Sequence, residues 1–271
     1  AGKVLRSPLA HARIKRIDIG KAEALPGVMA VITGEDLPLG TEEPRAAVGN
    51  ASDPDYFLRD EVMAGDKVLF HGHAVAAVAA TSLAAAAAAV DLIDVEYEAL
   101  PHVLDPLEAM KPDSVVLHEG LRTRSGSGVA ERPSNVTEYL EMGRGDVDTG
   151  FGEADVLVER SFRTQVVHHG YIEPDSEAAH FRADGSLVVW ANTQGIFTHR
   201  RDLARVLGVP MGRIRVIPTE VGGAFGGKET PRVSPLCAAL SRKAGLPVRI
   251  TFGREEVFRG TGSGQATVFT V

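Results

Sequence analysis

The sequence predicts a mixed α/β (α+β) fold organised as two domains, and three observations lead to this prediction. At roughly 100–200 residues per domain, the 271 residues suffice for two sizeable hydrophobic cores. Hydrophobic residues make up 44% of the chain and charged residues 24%, which is typical of an ordinary globular protein. Short β-rich segments recur along the chain, with helical segments between them.

The first predicted domain covers residues 1–110. Its strands are expected at 13–19, 28–33, 74–80 and 94–98, where β-branched and alternating apolar residues concentrate. Between the last two strands, Thr81 and Ser82 are good helix caps before the alanine-rich run 84–90, so this run is predicted to be a helix. Residues 111–135 are poorer in pattern, and SGSG (125–128) and ERPSN (131–135) indicate a connector.

The second predicted domain covers residues 136–271. Strands are expected at 155–166, 187–192, 213–217 and 248–252, with a helix over 197–207 that stops at Gly208. In a second helix, Ser234 is the predicted N-cap, Pro235 the first helical residue and Gly245 the left-handed residue after the last turn.

Charge and cysteine content exclude several classes of function. A net charge of −7 and a pI near 5.7 argue against binding to a phosphate backbone, so nucleic acid is excluded as a partner. The single cysteine, Cys237, cannot form an internal disulfide, which suits a reducing compartment and a cytoplasmic location. Without a CxxC pair, an iron–sulfur cluster or structural zinc in this chain is not expected. The apolar run 84–90 is much too short to span a membrane.

The glycine-rich stretch GGAFGGKE (222–229) almost fits a phosphate-binding loop, but Glu229 stands where that loop needs Ser or Thr to hold Mg²⁺. The stretch follows a predicted strand and precedes a predicted helix, the position where α/β sheets usually carry their chemistry. Two interpretations remain open. The glycines simply turn the chain, or they bring backbone close to a ligand, with Phe225 as an apolar wall and Glu229 as an acceptor or proton-bearing carboxyl.

Eight segments, in order along nearly the whole chain, resemble the molybdenum hydroxylases, the family of xanthine dehydrogenase and aldehyde oxidase. Those similar to its α/β hammerhead domain are RSPLAHARIKRID, LPGVMAVITGEDLP, the long run from GHAVAAVAA to LPHVLDP, and HEG. Those similar to the first part of its molybdopterin-binding domain are GDVDTGFGEADVLVER, HHGYIEP, WANTQG and EVGGAFGGKE.

The resemblance implies roles for four residues. Gln194 matches the glutamine whose amide reaches an oxygen ligand of molybdenum; its alternative is a glutamine that satisfies a neighbouring loop. Phe225 and Gly226 match the residues that pack beside the metal and present backbone there, and the alternative for Phe225 is an ordinary core aromatic. Gln194 and Phe225 are thus the expected metal-side residues. Glu229 matches a catalytic glutamate that contacts the substrate ring in purine-oxidising members; its alternative is a solvent-facing glutamate favoured by a helix dipole.

Neighbouring residues of the HHGYIEP segment are expected to be structural. Adjacent side chains on a strand point to opposite faces, so His168 and His169 cannot readily share a metal ion. His169 and Glu173 fit a segment where packing and hydrogen bonding suffice.

The implied function is part of a molybdopterin-binding subunit that oxidises an N-heterocycle or aldehyde with water-derived hydroxide. Iron–sulfur clusters and FAD are expected on other domains or subunits, and the remainder of the molybdenum subunit and a small-molecule substrate as partners. Family members continue well beyond the position of Val271, so this chain alone is expected to be inactive. A carbon monoxide dehydrogenase type member, a 4-hydroxybenzoyl-CoA reductase type member and a non-catalytic assembly module remain alternatives.

Overall fold

The computed structural model describes residues 1–38 and 55–271, which divide into two compact units. Within the described residues, the first unit comprises 1–38, 55–102 and 169–262. The second comprises Val103–His168 and Ser263–Val271. None of the helices in these residues is long and apolar enough to cross a bilayer.

The strands of the described residues, in chain order, are β1 Gly2–Arg6, β2 Ala12–Asp18, β3 Val28–Thr33, β4 Lys67–Val68, β5 Ala74–Ala80, β6 Asp94–Ala99, β7 Arg122–Ser125, β8 Gly128–Pro133, β9 Ser161–Arg163, β10 Ser176–Phe181, β11 Leu187–Ala191, β12 Ile214–Pro218, β13 Val248–Thr251 and β14 Val268–Thr270. The helices are α1 Gly20–Glu23, α2 Asp55–Val62, α3 Leu83–Val90, α4 Pro106–Ala109, α5 Val147–Glu153, α6 Ile196–Leu207, α7 Ser234–Ala244 and α8 Arg254–Gly260.

A seven-stranded sheet forms the centre of the first unit, in the order β12-β11-β10-β13-β1-β5-β3. The β11/β12 and β1/β13 pairs are parallel, and the other neighbours are antiparallel. The sheet takes β1, β3 and β5 from the predicted first domain and β10 to β13 from the predicted second one. The compact units therefore follow sheet pairing, and the domain boundaries at 110 and 136 stay a prediction.

The predicted strand at 74–80 is β5, and its sequence explains its central position. All seven residues of AVAAVAA are buried, as expected for a strand covered on both faces. The helix that follows is also confirmed, because the Ser82 hydroxyl accepts a hydrogen bond from the backbone N–H of Ala85 at 3.1 Å. A separate three-stranded sheet, β4-β2-β6, completes this part of the unit.

Helix α7 packs against β10 and is buried from Ser234 to Ser241. Its end is as predicted, with Gly245 left-handed at φ +66°. Its start differs by one residue, since the N-cap is Val233 and not Ser234. The physical reason is that the Ser234 hydroxyl contacts the buried ring of His199, 2.6 Å from its Nε2, and so makes no cap.

The second unit departs most from the predictions. Only Ser161–Arg163 of the predicted strand 155–166 is a strand, and it pairs with β14. The preceding residues Val156, Leu157 and Val158 are 63–76% exposed, so their apolar pattern does not report a buried strand here. The predicted connector contains a hairpin, β7–β8, in which SGSG forms the turn.

Strand β10 in the first unit is absent from the predicted elements. Of the two buried positions in its sequence SEAAHF, one carries the charged residue Glu177, so the strand lacks the apolar alternation on which strand prediction depends.

Candidate functional site

The glycine-rich stretch lies between the end of β12 at Pro218 and the start of α7 at Ser234. It forms neither strand nor helix, and Gly223 and Gly226 have φ of +90° and +95°. The predicted strand-to-helix turn with positive-φ glycines is therefore confirmed. Because β11 and β12 are parallel neighbours, the residues after β11, including Gln194, reach the same edge of the sheet as this loop.

Gln194 is tied directly to the loop through its side chain. Its Oε1 accepts hydrogen bonds from the backbone N–H of Gly226 at 3.0 Å and of Lys228 at 3.3 Å. Backbone N–H groups can donate only to an acceptor, so the atom that faces them must be the oxygen and the NH₂ group points the other way. None of the described residues accepts a hydrogen bond from that NH₂ group, and Gln194 is exposed. The residue thus presents two free donor hydrogens at the sheet edge.

Phe225 has an unusual backbone for its size. It is the one non-glycine residue with positive φ in the described parts of the chain, at +55°, and it is 73% exposed. A bulky side chain in this region costs about 1–3 kcal/mol, and such strain persists where the surrounding structure imposes it. Packing within this unit therefore does not account for the exposed ring of Phe225, and its place beside a cofactor stays a prediction.

The remaining glycines of the loop have a reason within the fold. A Cβ on Gly227 would lie 2.8 Å from Cε1 of Tyr171 and 3.0 Å from Nδ1 of His169. A Cβ on Gly222 would lie 2.8 Å from Cβ of Glu173. At these two positions a Cβ would meet the protein itself, so the fold alone accounts for Gly222 and Gly227, and a close approach of backbone to a ligand stays a prediction.

Glu229 ends the loop as an exposed residue whose carboxylate has no hydrogen-bond partner among the described residues. It precedes the first residue of α7, Ser234, by five positions. Helix-dipole stabilisation falls off within the first turn, so this separation weakens the dipole part of the alternative, while the solvent-facing part agrees with the exposure of Glu229. A carboxylate on this loop is available to a ligand.

Glu173, to which the sequence assigns packing and hydrogen bonding, anchors the loop together with residues that the sequence does not single out. Lys228 is almost fully buried, and its Nζ lies 2.7 Å from Oε2 of Glu173 and 4.8 Å from the centroid of the Tyr171 ring. The buried Tyr171 hydroxyl donates to Oδ2 of Asp175 at 2.7 Å. Burial opposes ionisation of Glu173, yet the Lys228 ammonium and the Gly222 N–H keep the pKa of Glu173 below its usual value. Glu173 is therefore a carboxylate near neutrality.

A second polar group is buried where β10, α6 and α7 meet. The His199 ring contacts the Ser234 hydroxyl, and its Nε2 lies 3.8 Å from Oε2 of Glu177. Burial lowers the pKa of His199 to about 4. Burial also raises the pKa of Glu177 to about 7, with Asp175 adding to the rise and the polar groups of Ser234 opposing it. Near neutrality the imidazole is uncharged.

The donor set limits how a metal ion could be bound. The described residues contain no group of three or more His, Cys, Asp or Glu side chains placed to hold a metal. Gln194, Phe225 and Gly226 offer an amide, a ring and backbone, none of which is a strong metal ligand. A metal ion at this edge would have to arrive with its own ligands, which the Gln194 NH₂ group could contact as a donor.

Comparisons with known proteins match both parts of the chain. Residues 1–101 match the a/b hammerhead domain of aldehyde oxidase and xanthine dehydrogenase, and residues 129–271 match the molybdopterin cofactor-binding domain. The chain is 32% identical over 273 residues to the xanthine dehydrogenase molybdenum-binding subunit of Escherichia coli O157:H7, covering 99% of this chain and 34% of that protein. It is 35% identical over 260 residues to the carbon monoxide dehydrogenase large chain of Afipia carboxidovorans, covering 94% of this chain and 31% of that protein.

The fold has close counterparts among solved structures. Reconstituted CO dehydrogenase from Oligotropha carboxidovorans superposes with a TM-score of 0.78 at 31% identity, covering 97% of this chain and 32% of that one. The chain thus spans about a third of the length of each of these relatives.

Proposed function

Because the chain belongs to the molybdenum hydroxylase family, we propose that it is part of a molybdopterin-binding subunit that oxidises an N-heterocycle or an aldehyde. The observation that carries the proposal is the orientation of Gln194. Its oxygen is occupied by two backbone N–H groups of the loop, which leaves its NH₂ group free to donate. A neutral donor of this kind suits an oxygen ligand of molybdenum.

The residues at the sheet edge fit a molybdenum–molybdopterin cofactor. Gln194 would donate a hydrogen bond to an oxygen of the metal's ligand sphere, Phe225 would supply an apolar wall, and Gly226 would supply backbone without a Cβ in the way. When bound, this cofactor supplies two-electron redox chemistry with oxygen from water. A well-placed donor to a developing anion is worth about 3–4 kcal/mol in a reaction barrier.

Glu229 is the proposed catalytic residue of this loop. As an exposed carboxylate with no partner among the described residues, it can accept a hydrogen bond from a heterocyclic N–H or hold a proton as charge shifts in the ring. This role orients the substrate and supports the N-heterocycle in preference to the aldehyde.

The relatives leave one specific alternative. The 35% identity to a carbon monoxide dehydrogenase large chain is no lower than the 32% identity to a xanthine dehydrogenase molybdenum-binding subunit. A carbon monoxide substrate has no ring for Glu229 to orient, so that alternative predicts little effect of changing Glu229.

The proposed partners are the remainder of the molybdenum subunit, iron–sulfur and FAD-bearing domains or subunits, and a small-molecule substrate. The chain covers only about a third of its relatives, so we propose that it has no activity alone. A cytoplasmic location, expected from the single cysteine Cys237, stays a prediction.

The test uses two variants of the full-length polypeptide, with molybdenum content measured beside steady-state kinetics. Gln194→Ala should perturb the paramagnetic resonance spectrum of the metal, because it removes a donor next to the ligand sphere. Glu229→Gln should retain molybdenum and the spectrum but lower kcat/KM for a heterocycle about 10- to 150-fold, since a charge-assisted hydrogen bond is lost.

Two results would count against the proposal. An unchanged metal spectrum in Gln194→Ala would remove Gln194 from the metal's surroundings. Wild-type kcat/KM in Glu229→Gln with every heterocycle and aldehyde tested would leave the carbon monoxide alternative or a non-catalytic assembly module.

A further inference from the structure

Both ends of the glycine-rich loop are fastened to one carboxylate. Oε2 of Glu173 accepts a hydrogen bond from Nζ of Lys228 at 2.7 Å and another from the backbone N–H of Gly222, also at 2.7 Å. The backbone N–H of Glu173 in turn donates to the carbonyl of Gly222 at 3.3 Å. Since Gly222 and Lys228 bracket the loop, one side chain fixes its entry and its exit.

The burial of Lys228 makes this attachment strong. Its side chain is 1% exposed, and its ammonium has the Glu173 carboxylate and the face of the Tyr171 ring as surroundings. Removing one partner of a buried ion pair leaves an uncompensated charge, which is strongly unfavourable. The lysine therefore stays in place only while Glu173 stays with it.

The attachment reaches Gln194 through the backbone of Lys228. The Lys228 N–H donates to Oε1 of Gln194, and the Lys228 carbonyl accepts from the Gln194 N–H at 3.1 Å and from the Thr193 hydroxyl at 3.1 Å. A shift of Lys228 would remove one of the two contacts that hold the Gln194 oxygen inward, and would carry the loop with Gly226, the other donor, along the same backbone. The carboxamide would then be free to rotate.

We propose that Glu173 and Lys228 are positioning residues, whose ion pair, formed by a buried lysine and a carboxylate that is 34% exposed, fixes the glycine-rich loop and through it the outward direction of the Gln194 NH₂ group. The functional consequence rests on the proposed function of Gln194, whereas the mechanical part does not. Neither residue touches the cofactor or substrate in this account.

The chain contains a matched control. Oε2 of Glu256 accepts from Nζ of Lys3 at 2.8 Å and from the backbone N–H of Gly253 at 2.7 Å, the same arrangement as at Glu173. Among the described residues, neither Lys3 nor Glu256 hydrogen-bonds to residues 219–229. Lys3→Met therefore removes a lysine–glutamate contact of the same pattern outside the loop, although the Lys3 side chain is 29% exposed and that of Lys228 only 1%.

The experiment measures amide hydrogen exchange of the cofactor-free full-length polypeptide in wild type, Lys228→Met, Glu173→Gln and Lys3→Met. We expect exchange across residues 219–229 to become about 10-fold faster in Lys228→Met, with strands β10 to β13 unchanged. Glu173→Gln, which keeps size and an acceptor, should give a smaller increase, and Lys228→Arg should restore slow exchange. Lys3→Met should leave the loop as in wild type.

Wild-type exchange of the loop in both Lys228→Met and Glu173→Gln would overturn the proposal, as would equal acceleration in Lys3→Met. If Lys228→Met does not fold, the milder Glu173→Gln decides alone. In the cofactor-loaded enzyme, Lys228→Met should shift the metal's paramagnetic resonance spectrum, and should add no shift in a Gln194→Ala background. Faster amide exchange of the loop in Lys228→Met, together with a metal spectrum that Gln194→Ala leaves unchanged, would support the mechanical role of the ion pair and refute the proposed function.

Discussion

At the scale of single residues, Phe225 carries the clearest physical signal of a site. Its φ of +55° is strained for an aromatic residue, and its ring is 73% exposed. Neither the local backbone conformation nor burial in this unit therefore explains why an aromatic residue occupies this position. The resemblance of GGAFGGKE to a family motif pointed to Phe225 from the sequence. The strain itself could not be read from the sequence, because φ is set by contacts of the whole loop.

Two substitutions separate the strain of Phe225 from the function of its ring. Phe225→Gly removes both strain and ring, whereas Phe225→Ala removes the ring and keeps a Cβ at positive φ. We expect the glycine variant to be more stable than the alanine variant by about 1 kcal/mol, measured by urea unfolding. Both variants should bind less molybdenum cofactor in the full-length polypeptide. Equal stability of the two would show that the conformation is not strained.

At the scale of elements, β10, α6 and α7 meet around two buried groups, His199 and Glu177, whose contributions to stability change with pH in opposite directions. Burial lowers the pKa of His199 from 6.5 to about 4, so its contribution to stability is lost as pH falls from 6.5 towards 4. Burial first, with Asp175 adding, raises the pKa of Glu177 from 4.5 to about 7, so its contribution is lost as pH rises from 4.5 through 7. The two contributions offset each other between these limits.

Replacing the Glu177 carboxyl with an amide should reveal how its ionisation changes stability with pH. In Glu177→Gln the neutral amide resembles the protonated acid, so the variant should be more stable than wild type at pH 8 and should lose that advantage towards pH 4.5. The measurement is the midpoint of thermal unfolding across this range. Glu98→Gln serves as the control, because Glu98 is half exposed beside Lys15, which lowers the pKa of its carboxyl. A constant difference between Glu177→Gln and wild type across the range would contradict the assignment.

An element could be predicted from the sequence where the residues that determine it are close together along the chain. Strands β3 and β5 and the end of α7 were predictable, because apolar runs and Gly245 act locally. The start of α7 was not, because Ser234 is engaged by His199 from another helix. In the same way, Gln194 and the loop were identified from motifs, whereas the Glu173–Lys228 pair joins residues 55 positions apart and appears only in three dimensions.

At the scale of the whole molecule, the first unit leaves large apolar side chains exposed next to the site residues. Ile172, which precedes Glu173, is 87% exposed, and Phe197, three residues after Gln194, is 82% exposed. A large cofactor needs extensive contact surface, and the loop with Gln194 supplies only one side of it. The chain spans about a third of the length of these two relatives.

The corresponding prediction concerns metal content. The purified 271-residue chain should hold well under one molybdenum per chain and show no hydroxylase activity, because most of the cofactor's contact surface is missing. Elemental analysis of the purified chain beside the full-length polypeptide checks this. A ratio near one in the 271-residue chain would show that these residues suffice for binding.

The central claim is that the Gln194 NH₂ group faces an oxygen ligand of molybdenum at the edge formed by β11 and β12. A crystal structure of the cofactor-loaded full-length enzyme tests it most directly. The account predicts Nε2 of Gln194 at a hydrogen-bond distance of about 2.7–3.2 Å from that oxygen, with Oε1 still bonded to the N–H groups of Gly226 and Lys228. A cofactor located elsewhere, or a Gln194 carboxamide turned with its oxygen towards the metal's ligands, would contradict it.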